Sequence, residues 1–149
     1  MKPFDEYVAQ AEQAHGHICA GQILGLRMAL YGMRLLGLDD PAGRDRKRLV
    51  TFVEIDRCAT DALTLVTGCR VGKRSLKFRD FGKVAATFCD LGENRAVRVV
   101  ARESSKERAR ELYPAIADKH QQQLSAYRGM ADEDLFDHPY PFSAYDQVF

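Results

Sequence analysis

Apolar residues recur at every third or fourth position in the first part of the chain. Over residues 4–14 this spacing predicts a first helix, which Gly16 is suited to end. A second helical stretch, at about residues 19–36, carries apolar side chains around most of its circumference. A helix that is apolar on nearly every side lies inside a core. We therefore expect a long, central, buried helix after a short amphipathic one.

Small residues form a stripe along the second helix: Gly21, Gly25, Ala29 and Gly32. Their spacing of three or four residues places them on one face of the helix. Glycine inside a helix costs about 1 kcal/mol relative to alanine, so the stripe indicates a packing role. We expect another backbone to approach the helix closely along this face.

The segment at residues 49–55 is short, β-branched and almost entirely apolar. This composition is typical of a strand that is covered on both faces. A short helix is predicted at about residues 58–66, with Asp56 as its N-cap and Gly68 as its stop. Further along, residues 83–90 and 95–102 flank a turn-like segment and predict an antiparallel hairpin. The sheet is therefore expected to be at least partly antiparallel.

The C-terminal third begins with Ser104-Ser105-Lys106-Glu107, which has the spacing of a capping box and predicts the start of a helix. The helix is expected to bend or restart at Pro114 and to run to about Arg128. Residues 136–149 are rich in aromatic residues and proline. We expect this tail to pack along the protein surface or against a second copy of the chain, and together with the small-residue stripe it predicts a homodimer.

Composition narrows the class of protein. The 149 residues, 46% of them hydrophobic, suit one domain with a single core. A net charge of +1 creates no large field that would attract nucleic acid or an anionic membrane. The most apolar stretch contains Arg27 and Arg34, which argues against a membrane span. Residues 1–13 do not resemble a secretory signal, so we expect a cytoplasmic protein with no nucleic-acid or membrane partner.

Four cysteines could carry chemistry: Cys19, Cys58, Cys69 and Cys89. They form no CxxC pair in the sequence, and a cytoplasmic chain of this size should keep them as reduced thiols. Cys89 falls in the predicted hairpin and is interpreted as a core residue. Any site must therefore be assembled by the fold.

The segment His15-Gly16-His17-Ile18-Cys19 is the densest cluster of metal-binding side chain types in the sequence. Imidazole and thiolate groups suit zinc and related transition metals. Cys19 and Cys58 are both expected at helix N-termini, where free amides and the helix dipole stabilise a thiolate. Both are candidate metal ligands or catalytic nucleophiles. The alternative is an exposed histidine turn, with cysteines that act as small apolar residues and surface charges that cap a helix.

A basic segment, Gly68-Cys69-Arg70-Val71-Gly72-Lys73, has three rather than four residues between its glycines, and Arg74 follows the lysine. It is therefore not a phosphate-binding loop of the nucleoside triphosphatases. Lys73 and Arg74 are candidates for binding an anion, and the alternative is a solvated basic loop.

Two segments resemble the FmdE family, which is named after a component of formylmethanofuran dehydrogenase: His-Gly-His-Ile-Cys-Ala-Gly-Gln-Ile-Leu-Gly at residues 15–25 and Glu-Ile-Asp-Arg-Cys-Ala-Thr-Asp-Ala-Leu-Thr-Leu-Val-Thr-Gly-Cys-Arg-Val-Gly-Lys at residues 54–73. The resemblance implies an α+β fold, with an antiparallel β-sheet, a long buried central helix and flanking helices, and commonly a dimer. It implies a single domain over residues 1–149, with core motifs at about 4–102 and a C-terminal helix and aromatic tail at about 104–149. Ala20 stands where the family pattern has proline. Longer members add a C-terminal zinc-binding module with paired cysteines, which we expect to be missing because no cysteine follows Cys89.

The resemblance also bears on cofactors and partners. The family is associated with the molybdenum or tungsten pterin enzyme that reduces carbon dioxide onto methanofuran. Combined with the residue chemistry, it predicts a transition-metal site, with zinc as the expected metal, held by His17, Cys19 and Cys58. The candidates that would complete the site are His15, Asp61 and Cys69.

Three functions remain open on the sequence. The first is a metal-binding enzyme or a redox or one-carbon auxiliary that acts through Cys19 and Cys58. The second is a non-catalytic protein that binds or delivers a metal or a molybdopterin-type cofactor to a molybdenum or tungsten enzyme, with Lys73 and Arg74 holding the phosphate of the cofactor. The third is a metal that only holds the fold, which is disfavoured because a core of this size does not require one.

Overall fold

The computed structural model describes residues 1–138, which form a five-stranded sheet and a set of helices around one central helix. Within this range the α-helices are Phe4–His15 (α1), Ala20–Leu36 (α2), Cys58–Thr67 (α3), Ser104–Leu112 (α4), Lys119–Gly129 (α5) and Asp132–Leu135 (α6). The strands are Leu49–Val53 (β1), Leu76–Phe78 (β2), Ala85–Asp90 (β3), Arg95–Ala101 (β4) and Phe136–Asp137 (β5). A short 3₁₀ turn covers Val71–Lys73.

The strands lie in the order β2-β1-β3-β4-β5. Strand β1 pairs in parallel with β2, and the other neighbours pair antiparallel. The predicted hairpin is confirmed, since Phe88 of β3 lies opposite Val97 of β4. The mostly antiparallel sheet and the helices confirm the α+β class. Strand β2 was missed because three residues are too few to show a periodic pattern.

Helix α2 is the centre of the fold. It packs against α1, α3 and α5 and against strands β3 and β4. Most of its side chains are buried, including Ile23, Leu26 and Met33, which have no exposed surface. The prediction of a long buried helix is confirmed, and Gly37, with a φ of 69°, ends it.

The small residues of α2 explain how its neighbours approach. A Cβ at Gly25 would lie 2.7 Å from the Cα of Ala59 in α3, so the two helices are in backbone contact at this point. A Cβ at Gly32 would overlap the ring of Phe88 in β3, and Ala29 is fully buried. The expected close approach is therefore confirmed within the chain. This use of the stripe removes it as an argument for the homodimer, which stays a prediction.

The start of α3 differs from the prediction. The strand expected at residues 49–55 ends earlier, because the carbonyl of Glu54 accepts hydrogen bonds from the loop at residues 81–83 instead of from a strand. Asp56 was wrongly predicted as the N-cap of α3, since Arg57 holds that position. Asp56 lies one residue too early, in the turn that follows β1.

The predicted C-terminal helix is divided in two. Glu103 is the N-cap of α4, so the capping box predicted at residues 104–107 begins one residue too late, inside the helix. Helix α4 ends before Pro114, in agreement with the predicted break. Helix α5 restarts after Asp118, whose Oδ1 accepts a hydrogen bond from the Gln121 N–H at 2.8 Å.

The last described strand ties the C-terminal region to α2. Phe136 is buried in β5, and its ring meets that of Tyr31 edge to face with 5.9 Å between the ring centroids. Residues 139–149 lie outside the described part of the chain, so the predicted packing of the aromatic tail stays a prediction. Among residues 1–138, every helix is too short or too polar to cross a membrane.

Substitution of Gly25 by alanine tests the contact between α2 and α3. The added Cβ would collide with the backbone of Ala59, so we expect a loss of about 1–3 kcal/mol of unfolding free energy or more. Gly129→Ala is the matched control, because Gly129 is also helical and has no atom within 4 Å of its Cβ position. Equal stability of both variants in urea unfolding would contradict the close contact.

Candidate functional site

Cys19 lies at the junction of α1 and α2. Its backbone is extended, with a φ of −128°, and it is the N-cap of α2. The Cys19 N–H donates to Oε1 of Gln22 at 2.8 Å, and Nε2 of Gln22 donates to the carbonyl of Ala11 at 3.0 Å. Because Gln22 is buried, this pair of hydrogen bonds fixes the start of α2 against α1. Cys19 is thereby held in one place.

Cys58 is the first residue of α3. The chain reaches it directly after β1, and the next residue, Ala59, is the one that touches Gly25 of α2. A Cβ at Gly21 would lie 3.7 Å from the Cβ of Cys58 and 3.8 Å from the Sγ of Cys19. The N-termini of α2 and α3 therefore converge, with Gly21 between the two thiols.

His15 completes a cluster with these thiols. Its Nε2 lies 3.4 Å from the Sγ of Cys58, within hydrogen-bond distance for sulfur. The Cys58 thiol also interacts with that of Cys19 through a side-chain hydrogen bond. Gly16, with a φ of 87°, turns the chain after α1 so that His15 faces α3. Two thiols and one imidazole therefore meet at the convergence of two helix N-termini.

His17 lies at the edge of this cluster. Its ring packs against that of His15, with 4.8 Å between the ring centroids and a tilt of 47°. Both histidines are exposed, whereas Cys19 and Cys58 are half-buried. The histidine closest to a thiol is thus His15 rather than His17.

Burial raises the pKa of Cys58 above its ordinary value. The neighbouring Cys19 raises this pKa further, by its charge and its hydrogen bond, and the backbone at the helix start lowers it by less. The sequence-based expectation that the helix N-terminus favours a thiolate is therefore outweighed at Cys58. The thiol keeps its proton at neutral pH unless a positive charge lies beside it.

The donor set suits a soft or borderline metal ion, because thiolate and imidazole are the ligands that zinc prefers. The half-buried thiols and the space left by Gly21 are compatible with such an ion. Within residues 1–138, however, no three Cys, His, Asp or Glu side chains already surround a common metal position. A site through His17, Cys19 and Cys58 requires the exposed histidines to turn inward, and it stays a prediction.

The other cysteines lie elsewhere. Cys69 follows the C-terminus of α3, and a ten-residue helix separates it from Cys58 by about 15 Å. It is buried, with its Sγ 3.3 Å from Oγ1 of Thr51 in β1. Burial raises the pKa of the Cys89 thiol to about 12, which confirms its interpretation as a core residue. Asp61, on α3, raises the pKa of Cys58 by its charge and is the acidic candidate beside the cluster.

Lys73 and Arg74 lie at the opposite end of α3 from the thiols. They line a pocket of about 550 Å³ that also borders Cys69. The two predicted functional regions are therefore separate in the fold, and the basic turn does not reach the thiol cluster.

Gln22 is a positioning residue that the sequence analysis missed. The segment Cys19-Ala20-Gly21-Gln22 has the spacing of a capping box, with cysteine in the place of serine or threonine. That spacing was the available signal, and the unusual first residue concealed it.

Comparisons with known proteins place this geometry in a wider group. The sequence matches the family model described as "FmdE, Molybdenum formylmethanofuran dehydrogenase operon" over residues 14–137. A protein of Archaeoglobus fulgidus named "Probable S-adenosyl-L-methionine-binding protein" is 37% identical over 94 residues, which are 60% of this chain and 25% of that protein. The match thus spans a quarter of the length of this relative.

A solved structure shares the fold. The crystal structure of an FmdE-like protein of tungsten formylmethanofuran dehydrogenase, from Syntrophus aciditrophicus, superimposes with a TM-score of 0.67. The similarity covers 94% of this chain and 72% of that chain, at 20% sequence identity. At this identity the similarity shows a common fold.

The four cysteines should differ in reactivity. In reduced, metal-free protein we expect iodoacetamide to modify Cys19 and Cys58, and the rate at Cys58 should still rise above pH 9 because its pKa is raised from 9.0. Cys89 should be inert, since about one thiol in 10⁴ is ionised at pH 8 when the pKa is about 12. Peptide mapping by mass spectrometry checks this, and modification of Cys69 or Cys89 as fast as Cys58 in native protein would contradict it.

Proposed function

Because the chain belongs to the FmdE family, we propose that it is a metal-binding protein related to formylmethanofuran dehydrogenase components, with its centre at Cys19 and Cys58. The histidines of the α1–α2 turn, His15 and His17, supply the nitrogen ligands. Zinc is the proposed metal. The proposed role is a redox or one-carbon auxiliary that acts on a small substrate at this centre.

One observation carries the proposal: two thiols and an imidazole meet where the N-termini of α2 and α3 converge. The three groups come from segments that are 4 to 43 residues apart in the sequence. Their meeting therefore depends on the tertiary fold. A bound zinc ion would supply Lewis-acid polarisation of a water or substrate oxygen.

The residues of the chain have distinct tasks in this proposal. Gln22 holds the backbone of Cys19 by its hydrogen bond at 2.8 Å, which fixes the direction of that thiol. His15, at 3.4 Å from the Cys58 Sγ, is positioned to accept the proton that the thiol loses when it becomes a ligand or a nucleophile. Exposure of His15 and His17 leaves this side of the centre open to a small substrate.

A purely structural metal is the weaker alternative. The main core contains Ile23, Leu26, Phe88 and Val99, which are fully buried without any ligand. The α2–α3 contact at Gly25 also needs no metal to form. The fold therefore has its own sources of stability, and a metal at its edge is free to serve chemistry.

Non-catalytic binding or delivery of a metal or a molybdopterin-type cofactor is the alternative function. The observation that favours it is the pocket beside Lys73 and Arg74, whose cationic side chains suit a phosphate. On the family relationship alone, the partner is proposed to be a molybdenum or tungsten enzyme. A homodimer is also proposed, with the aromatic tail as its contact, in a cytoplasmic protein.

S-adenosyl-L-methionine is a further candidate ligand, supported by the name of the Archaeoglobus relative. The matched part is 25% of that protein, so its ligand is transferred to this chain only where a matching site exists. The molecule carries a positively charged sulfonium, and the basic pocket at Lys73 and Arg74 would repel that group. Metal binding at Cys19 and Cys58 is therefore the preferred function.

Metal content tests the proposal directly. We expect about one transition-metal ion per chain in protein purified under reducing conditions. Cys19→Ser and Cys58→Ser should each lower the metal content strongly, because serine oxygen is a poor replacement for thiolate. Cys69→Ser is the matched control and should keep the metal, since Cys69 lies at the far end of α3.

Elemental analysis by inductively coupled plasma mass spectrometry gives the measurement, and circular dichroism confirms that each variant is folded. Unchanged metal content in both the Cys19 and the Cys58 variant would overturn the proposal. Equal loss of metal in the Cys69 control would show that the metal depends on general stability rather than on the centre.

A further inference from the structure

The largest of the described pockets, about 550 Å³, lies between two loops at the C-terminal end of α3. One wall is the loop from α2 to β1, which contributes Arg46 and Lys47. The opposite wall is the turn from α3 to β2, which contributes Lys73 and Arg74. None of the described residues that line the pocket is acidic. A volume of this size is in the range of small-molecule binding sites.

The four cations differ from the arginines beside them. Arg48 is paired with Asp90 at 2.8 Å, and Arg44 lies 3.6 Å from Asp45. In contrast, the four pocket cations make no ion pair with any acidic side chain of residues 1–138: Arg46, Lys47, Lys73 and Arg74. Like charges gathered in one cavity repel each other, so an anion would stabilise the arrangement.

The turn that carries Lys73 and Arg74 is organised without a ligand. The carbonyl of Arg70 accepts hydrogen bonds from the N–H groups of Lys73, Ser75 and Leu76, each at 3.2 Å. Arg74 adopts a φ of 59°, a left-handed conformation that favours glycine, yet the position holds an arginine. A turn built in this way presents its two cations in a defined direction, which reduces the entropy lost on binding.

The two walls are held together at a glycine. A Cβ at Gly68 would lie 2.9 Å from the Cβ of Ala42, so the turn after α3 and the loop after α2 are in contact. The inner surface between them includes the apolar side chains of Leu49 and Val50 and the thiol of Cys69. The pocket therefore offers cations at its rim and a less polar surface inside.

We propose that this pocket binds a small molecule that carries a diphosphate group and a flat, weakly polar moiety, such as a nucleoside diphosphate. Two cations on each wall match the two phosphates, because arginine and lysine bind phosphate oxygens from opposite sides. The less polar inner surface takes the remainder of the molecule. The proposal is independent of the metal centre, which lies about 15 Å away along α3.

A small molecule fits the charge distribution better than a nucleic acid does. The net charge of the chain is +1, so there is no extended positive surface along which a strand of phosphates could lie. The cations border one concave pocket. The ligand should accordingly contain few phosphates.

Isothermal titration calorimetry of the full chain at physiological salt tests the proposal with pyrophosphate, ADP and adenosine as probes. We expect saturable binding of one pyrophosphate or one ADP per chain, and weaker binding of adenosine, which lacks phosphate. Two double variants, Lys73→Ala with Arg74→Ala and Arg46→Ala with Lys47→Ala, should each weaken ADP binding by about tenfold or more. Their melting temperatures should stay near that of the unaltered protein, because all four side chains are exposed.

Lys119→Ala with Arg128→Ala is the matched control, since it removes one lysine and one arginine from exposed positions on α5. Equal weakening by this control would show a nonspecific charge effect and overturn the proposal. Lack of saturable ADP and pyrophosphate binding would also overturn it, as would tighter binding of a single-stranded oligonucleotide through the same cations. The Cys58→Ser variant should bind ADP normally, which separates failure of this proposal from failure of the metal centre.

Discussion

The backbone contact between α2 and α3 at Gly25 and Ala59 is the constraint on which both the fold and the thiol cluster depend. Any side chain at position 25 would force the helices apart. Since Cys58 directly precedes Ala59, and Cys19 begins α2, a wider separation would also move the two thiols apart. Glycine, which weakens a helix by itself, is used here because it allows this approach.

The two candidate sites are the two ends of one crossover helix. Strands β1 and β2 pair in parallel, and a parallel pair needs a crossover connection, which α3 provides. The thiols and imidazole lie at the start of α3, and the four unpaired cations surround the pocket at its end. A positive helix N-terminus beside thiols and a negative C-terminus beside cations are each electrostatically favourable, although burial has the larger effect on Cys58.

Features with strong periodicity could be predicted from the sequence. These include α1, the buried α2 and the β3–β4 hairpin, and Cys19 and Cys58 were correctly expected at helix starts. The closer approach of His15 than His17 to Cys58 could not be predicted, because it depends on the left-handed conformation of Gly16. The basic pocket also escaped detection, since it joins two loops that only the tertiary contact at Gly68 brings together.

Cobalt(II) titration of the reduced, metal-free protein tests most directly whether the two thiols form a metal centre. The account predicts thiolate-to-cobalt charge-transfer absorption that saturates at one ion per chain, with an intensity that falls by about half when either Cys19 or Cys58 is replaced by serine. The visible bands should show the low-symmetry coordination of mixed sulfur and nitrogen ligands. Absence of charge-transfer absorption in folded, reduced protein would contradict the account.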